Sequence, residues 1–205
     1  MSARRPTKSP PELTTARLRL VAPSRRHIGD LFAYGSRADF TAFLDSRPFR
    51  TKRDAERFLH SLQADNRSGK RMYWVAELSD DGRAIGTLGL LFPFAPQHRV
   101  AEFGYGFTPD VWGTGLFAEA AQAVVNYGFA TLGLHRIQAL TRAANVRSIK
   151  GIEKIGFRQE AVLSEFYQEQ NGERSSAALL ALLAPSKRGA RSRARGKSGN
   201  RKPRR

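Results

Sequence analysis

The stretch Pro109-Asp110-Val111-Trp112-Gly113-Thr114-Gly115-Leu116-Phe117-Ala118-Glu119-Ala120 decides the fold of this chain. A β-rich run, Val100 to Phe107, enters a turn at Pro109, passes two glycines and opens onto a long amphipathic segment. Glycine at 113 and 115 lets the backbone take conformations closed to other residues and lie close to a ligand. The first N–H groups of a helix have no partner inside it, and its dipole puts partial positive charge at the same end. Such a turn is a seat for a phosphate or pyrophosphate. Glycines alone fit a plain strand-to-helix turn equally well.

Downstream of the loop, Phe117 to Leu132 reads as a helix with Ala120, Ala121, Val124, Val125 and Phe129 on its apolar face, ended by Gly133. Arg136 to Thr141 then reads as a strand, Ser148 to Ile155 as a helix stopped by Gly156, and Phe157 to Leu163 and Arg174 to Leu183 as strands. Upstream, Leu18, Leu20 and Ala22 alternate with Arg17, Arg19 and Val21 in a first strand. Two helices follow, His27 to Tyr34 and one capped by Thr51 with Ala55, Phe58, Leu59 and Leu62 on one face. Met72 to Leu78 and Ile85 to Phe92 form a hairpin around Asp80-Asp81-Gly82. The order predicts an α+β fold: a mixed central sheet of about seven strands, helices on both faces, and a β–loop–α–β unit in the middle.

The 205 residues carry a net charge of +17, and ten Lys or Arg fall in residues 185–205 with no acid, leaving +7 for residues 1–184. Three regions are expected: a flexible N-terminal segment over 1–12, a folded domain over 13–184 and a disordered basic tail over 185–205. The tail is either a non-specific contact for RNA or the ribosome, or a solubilising appendage. The chain has no cysteine, which excludes disulfides, a thiol nucleophile and thiolate metal sites. The four histidines show no metal-ligand spacing, so no metal is expected. With no secretory signal and no apolar run of about 20 residues, the expectation is a cytoplasmic protein without membrane contact, a monomer or a homodimer.

The Pro109-x-x-Trp112-Gly113-x-Gly115 loop resembles the acetyl-CoA pyrophosphate loop of the GNAT superfamily of N-acetyltransferases. Trp-Gly-x-Gly followed by Glu119-Ala120 is similar to the branch that acetylates N-terminal residues of ribosomal proteins. Four further segments match in order: Leu13 to Leu20, Ala101-Glu102-Phe103-Gly104-Tyr105, Gly133-Leu134-His135-Arg136-Ile137, and Asn145-x-x-Ser148-x-Lys150-x-x-Glu153-Lys154-x-Gly156-Phe157. The resemblance covers about residues 13 to 183. It implies an acetyl-CoA-dependent transferase in which a primary amine attacks the thioester directly, without an acyl-enzyme. It also implies that the strand before the loop carries a bulge and splays from the strand after the helix, leaving a gap for the acetyl-pantetheine arm.

On this resemblance, Phe107, Thr108, Trp112, Gly113, Thr114, Gly115, Leu116, Phe117, Asn145 and Lys150 contact acetyl-CoA. Glu102 stands where a base or water-orienting carboxylate is often placed, and Ser148 where a hydroxyl can protonate the leaving thiolate. Read from the residues alone, Glu102 is equally a structural ion-pair partner, Asn145 an N-cap and Ser148 a first-turn residue. Tyr167 is a second possible acid. Trp112 is expected to pack the loop on the sheet, and His27 and His135 to be surface or capping residues.

Three departures from the pattern stand out. Phe117 replaces a usual small residue, which implies a tighter loop or a shifted helix start. Lys150 replaces a usual Arg. Arg174-Ser175-Ser176-Ala177 lacks an acid that the branch often carries. The acceptor expected is a protein N-terminal amine. The alternatives are a small-molecule amine, or an inactive domain that binds RNA or the ribosome.

Overall fold

A computed structural model describes residues 9–185. The expectation for residues 1–8, and that for the basic tail from 186 onward, lie outside the described residues. Within the expected flexible start, the carbonyl of Pro11 accepts a hydrogen bond from the indole N–H of the buried Trp74, at 2.7 Å. A buried indole needs an acceptor, and the segment before Leu13 supplies it.

The described residues form one eight-stranded sheet. Its strands are β1 (Leu13–Thr14), β2 (Leu18–Val21), β3 (Arg71–Leu78), β4 (Ala84–Leu91), β5 (Val100–Phe107), β6 (Arg136–Arg142), β7 (Arg158–Gln168) and β8 (Arg174–Leu183). Their spatial order is β1-β2-β3-β4-β5-β6-β8-β7, and every neighbouring pair but β5–β6 is antiparallel. The expected seven strands are present, and β1 adds the eighth. Helices α1 (Ile28–Gly35), α2 (Ala38–Thr41) and α3 (Lys52–Ser68) precede the hairpin, α4 (Leu116–Ala130) follows the glycine loop, and α5 (Val146–Glu153) follows β6. Among the described residues no helix is long and apolar enough to cross a membrane.

The helices begin and end where their side chains allow. Thr51 and Asp54 form a capping box at the start of α3, and Gly69, at φ 68°, closes it. Asn145 caps α5 through its side chain, which accepts from the Ser148 N–H, so that helix starts at Val146 rather than Ser148. The amphipathic face of α4 buries Ala120, Ala121, Val124 and Val125 against Leu88, Leu90, Ile137 and Phe103. Each large aliphatic side chain removed from water in this core contributes about 1.5–3 kcal/mol. Leu31, Tyr34, Ala55 and Leu59 of α1 and α3 make a second, smaller cluster.

The β5–β6 pair opens the molecule. Its parallel ladder holds for only three positions, Val100↔Arg136, Ala101↔Ile137 and Glu102↔Gln138. Beyond them the strands part, as the resemblance implied. The implied bulge in β5 is absent: β5 pairs with β4 in unbroken register from Gly86↔Phe107 to Leu91↔Glu102. The irregularities fall elsewhere, between Ala76 and Glu77 of β3 and, in β7, between Gln159 and Ala161 and between Leu163 and Tyr167.

Candidate active site

Where β5 and β6 separate, a cavity of about 700 Å³ opens, walled by residues 103–107 on one side and Leu140, Thr141 and Arg142 on the other. Its two ends differ in chemistry.

One end is built by the glycine loop and α5. Gly113 and Gly115 sit at φ 81° and 84°, conformations that favour glycine, and Gly115 is the N-cap of α4. The N–H groups of Gly113, Gly115, Phe117 and Ala118 have no acceptor within the described residues. A Cβ built on Gly113 would meet nothing within 4 Å, and one on Gly115 would meet only Arg17, at 3.5 Å. Free donors around an open space fit the pyrophosphate of acetyl-CoA. Arg147, Lys150 and Lys154 bring cations to the same end, and the Arg147 guanidinium lies 3.5 Å from the centroid of the Trp112 ring. The Trp112 indole N–H in turn donates to the Phe107 carbonyl at 3.0 Å, fixing the loop to the end of β5.

Of the residues expected to contact acetyl-CoA, Phe107, Trp112, Gly113, Gly115, Phe117, Asn145 and Lys150 line the cavity. Thr108, Thr114 and Leu116 do not: Thr108 is buried with its N–H on the Ile85 carbonyl, Thr114 donates its hydroxyl to the Val111 carbonyl at 2.7 Å, and Leu116 joins the core. Their side chains shape the loop. Phe117 sits in the first turn of α4. Its ring lies on Tyr105 (centroids 4.4 Å apart) and edge-on to Phe107, in space left by Gly151, where a Cβ would come within 3.2 Å of it. Glu119 anchors α4 to the N-terminal strands, accepting from the Thr15 hydroxyl (2.6 Å), the Arg17 N–H (2.8 Å) and the Arg17 guanidinium (2.7 Å).

Ser148 lines the cavity, and its hydroxyl oxygen is 2.6 Å from the phenol oxygen of Tyr105. Burial pushes the Tyr105 phenol up to about 12, against the hydrogen bond with Ser148 that lowers it. Glu102 is half-buried at the last paired position of β5 and β6, and its carboxylate accepts from the Gln138 amide at 3.3 Å. It does not line the cavity. Its charge does reach the phenol of Tyr167, which lines it: burial raises that phenol first, and Asp45 and Glu102 add to the rise.

Of the other end of the cavity, the sequence singled out Tyr167 alone. Phe40, Phe43, Leu44, Tyr73 and Tyr167 give it an aromatic wall, and Asp39 and Asp45 are its carboxylates. Both are held by arginines. Asp39 takes a two-pronged bond from Arg37 (3.0 and 2.8 Å), and Asp45 accepts from Arg142 at 2.9 Å. Arg142, only 8% exposed, also donates to the Phe43 carbonyl (2.9 Å) and to Glu169 (2.7 Å), and lies 4.5 Å from the Tyr167 ring centroid. One guanidinium thus joins the segment after α2, the end of β6 and the β7–β8 hairpin. Tyr167 reaches the cavity because β7 runs on to Gln168 past Glu165, at φ 52°, beyond the expected end at Leu163. His27 is the buried N3 residue of the Ser24 capping box, its ring 2.7 Å from Glu77, and takes no part in the cavity.

Comparison with known proteins agrees with this geometry. The family model for the acetyltransferase (GNAT) domain matches residues 17–158. An uncharacterized N-acetyltransferase of Bacillus subtilis (strain 168), YoaA, is 33% identical over 162 residues, which cover 79% of this chain and 90% of that protein. Spermidine N(1)-acetyltransferase of Escherichia coli (strain K12) is 28% identical over 142 residues, 57% of this chain and 75% of that protein. The crystal structure of the ribosomal-protein-S5-alanine acetyltransferase of Vibrio fischeri matches with a TM-score of 0.73 over 85% of this chain and 97% of that one. At 18% identity, that match speaks to the fold alone. An open sheet split beside a glycine loop, with a family model spanning most of the folded residues, means that the chain belongs to the GNAT N-acetyltransferases.

Proposed function

We propose that this chain moves the acetyl group of acetyl-CoA to the α-amine of a peptide or protein N-terminus. The observation that carries this reading is the state of the carboxylates at this end of the cavity: Asp39 and Asp45 stand at its exposed rim, each paired with an arginine, beside an apolar and aromatic wall. A polycation at this end would meet the charges of Arg37 and Arg142 beside those carboxylates, and solvent-exposed pairs of this kind leave little net negative charge to hold it. A single amine on a mostly neutral peptide needs no such charge.

Acetyl-CoA, when bound, supplies an activated thioester. The chain's own residues then divide the work. The free N–H groups of the glycine loop, with Arg147, Lys150 and Lys154, hold the phosphates. The split between β5 and β6 orients the amine and the thioester together. Glu102 takes the amine proton through water, beside Tyr167, and the Ser148 hydroxyl faces the leaving sulfur.

A second reading, a polyamine acceptor, is favoured by the likeness to spermidine N(1)-acetyltransferase. One experiment separates them: release of free CoA thiol, followed with peptides bearing free N-terminal alanine or serine, with spermidine and with amino sugars. The peptides should give kcat/KM at least ~10-fold above spermidine, a margin of little more than 1 kcal/mol. Spermidine in front overturns the proposal, and release with none of the amines favours an inactive binding domain.

A further inference from the structure

We infer that Tyr105 aims the Ser148 hydroxyl at the leaving sulfur, so that the departing thiolate meets a chain of two hydroxyls rather than a lone serine. This rests on the reading of Ser148 given above. A serine hydroxyl rotates freely, and its direction is set by whatever partner it has. Ser148 has one such side-chain partner among the described residues, the Tyr105 phenol 2.6 Å away. Both ends of that bond are fixed. The Ser148 main chain is tied by its N–H to the Asn145 side chain at 3.1 Å. The Tyr105 ring is clamped between Phe103 and Phe117, with centroids 5.2 and 4.4 Å away. The phenol, the stronger acid of the two, is assigned as donor to the serine oxygen at 2.6 Å in preference to the Ser148 carbonyl at 3.5 Å, which leaves the serine hydrogen free to point into the cavity. Burial keeps the phenol protonated well above neutral pH, so it retains a hydrogen to donate throughout turnover.

The step balances without consuming either hydroxyl. The amine nitrogen forms its bond to the carbonyl carbon, the carbon–sulfur bond breaks and its electron pair stays on sulfur. The amine proton leaves toward Glu102. The thiolate, a far better leaving group than an alkoxide, accepts a hydrogen bond from Ser148 and takes its proton from solvent on release. Tyr105 is therefore a positioning residue, acting through Ser148.

The test uses Tyr105→Phe, Ser148→Ala and the double variant, each with two readouts. Turnover and acetyl-CoA affinity are measured first. The thiol of bound CoA is then titrated by its thiolate absorbance, which reports the hydrogen bond without turnover. Tyr105→Phe should lower kcat by ~10-fold at unchanged acetyl-CoA affinity and raise the pKa of the bound thiol. In the Ser148→Ala background it should add nothing further to either, since the two act as a unit. Loss in the double variant equal to the product of the single losses, or Tyr105→Phe at wild-type values while Ser148→Ala is impaired, overturns the proposal alone. Ser148→Ala at wild-type values in both readouts overturns the reading of Ser148, and the proposal with it.

Discussion

The two ends of the cavity are made in different ways. The end proposed to hold the phosphates is local: residues 112–118 and 145–154 supply its loop, its free N–H groups and its cations within two short stretches. The end proposed to take the acceptor is assembled from pieces far apart in the chain. Phe40, Phe43 and Asp45 come from the segment after α1, Tyr73 from β3, Arg142 from the tip of β6 and Tyr167 from β7. A contiguous end can keep its chemistry while the other is rebuilt by changes in several separate elements, so one acetyl donor can serve different amines.

The sharpest way to break this division is at Gly115. Gly115→Glu should abolish acetyl-CoA binding, by at least ~100-fold in affinity, by setting bulk and negative charge where the pyrophosphate sits. Gly115→Asn, which tolerates the left-handed backbone and carries no charge, should lose far less. Calorimetry decides it, and unchanged affinity in the Glu variant would remove the loop from the binding site. Glu102→Gln should lower turnover by ~10²-fold with acetyl-CoA affinity intact, the loss falling on the alkaline-rising limb of the pH profile. Near-normal turnover returns Glu102 to its bond with Gln138.

At the acceptor end, Arg142→Met should cost about 2 kcal/mol of stability and raise KM for the amine several-fold, because Asp45 and the Phe43 carbonyl lose their donor and Glu169 keeps only the Ser175 hydroxyl. Acetyl-CoA affinity should not move. If it falls in parallel, the two ends are coupled and the comparison fails. The smallest effect is expected at Glu119. Burial would raise its pKa, but bonds from Thr15 and Arg17 outweigh that and lower it below its ordinary 4.5. A carboxylate lowered in the folded state stabilises above its unfolded pKa, and that contribution fades as pH falls through the folded value. Thermal melts should therefore show the wild type losing on the order of 1 kcal/mol relative to Glu119→Gln below about pH 4.5.

The same division explains what could be read in advance. Strand alternation, the Thr51 cap and the 113–115 glycines act over a few residues, so element order and the glycine loop were legible. Asn145 was visible as a cap and as a site residue; it caps α5 and also lines the cavity. Arg142 gave no signal: it ends an ordinary strand, and its four partners lie from 25 to 99 residues away in sequence. Nor could the Tyr105–Ser148 bond be read, since it spans 43 residues and depends on how β5 meets α5. Nor could the packing partner of Phe117 be read, since Gly151 lies on another helix.

The central claim, an α-amine acceptor, is tested most directly with one peptide that carries an N-terminal alanine and an internal lysine. After incubation with acetyl-CoA and the protein, fragmentation mass spectrometry locates the acetyl group. The account predicts a single acetyl on the α-amine, formed in proportion to CoA released. An acetyl on the lysine side chain, or no peptide product under conditions in which spermidine is acetylated, would contradict it.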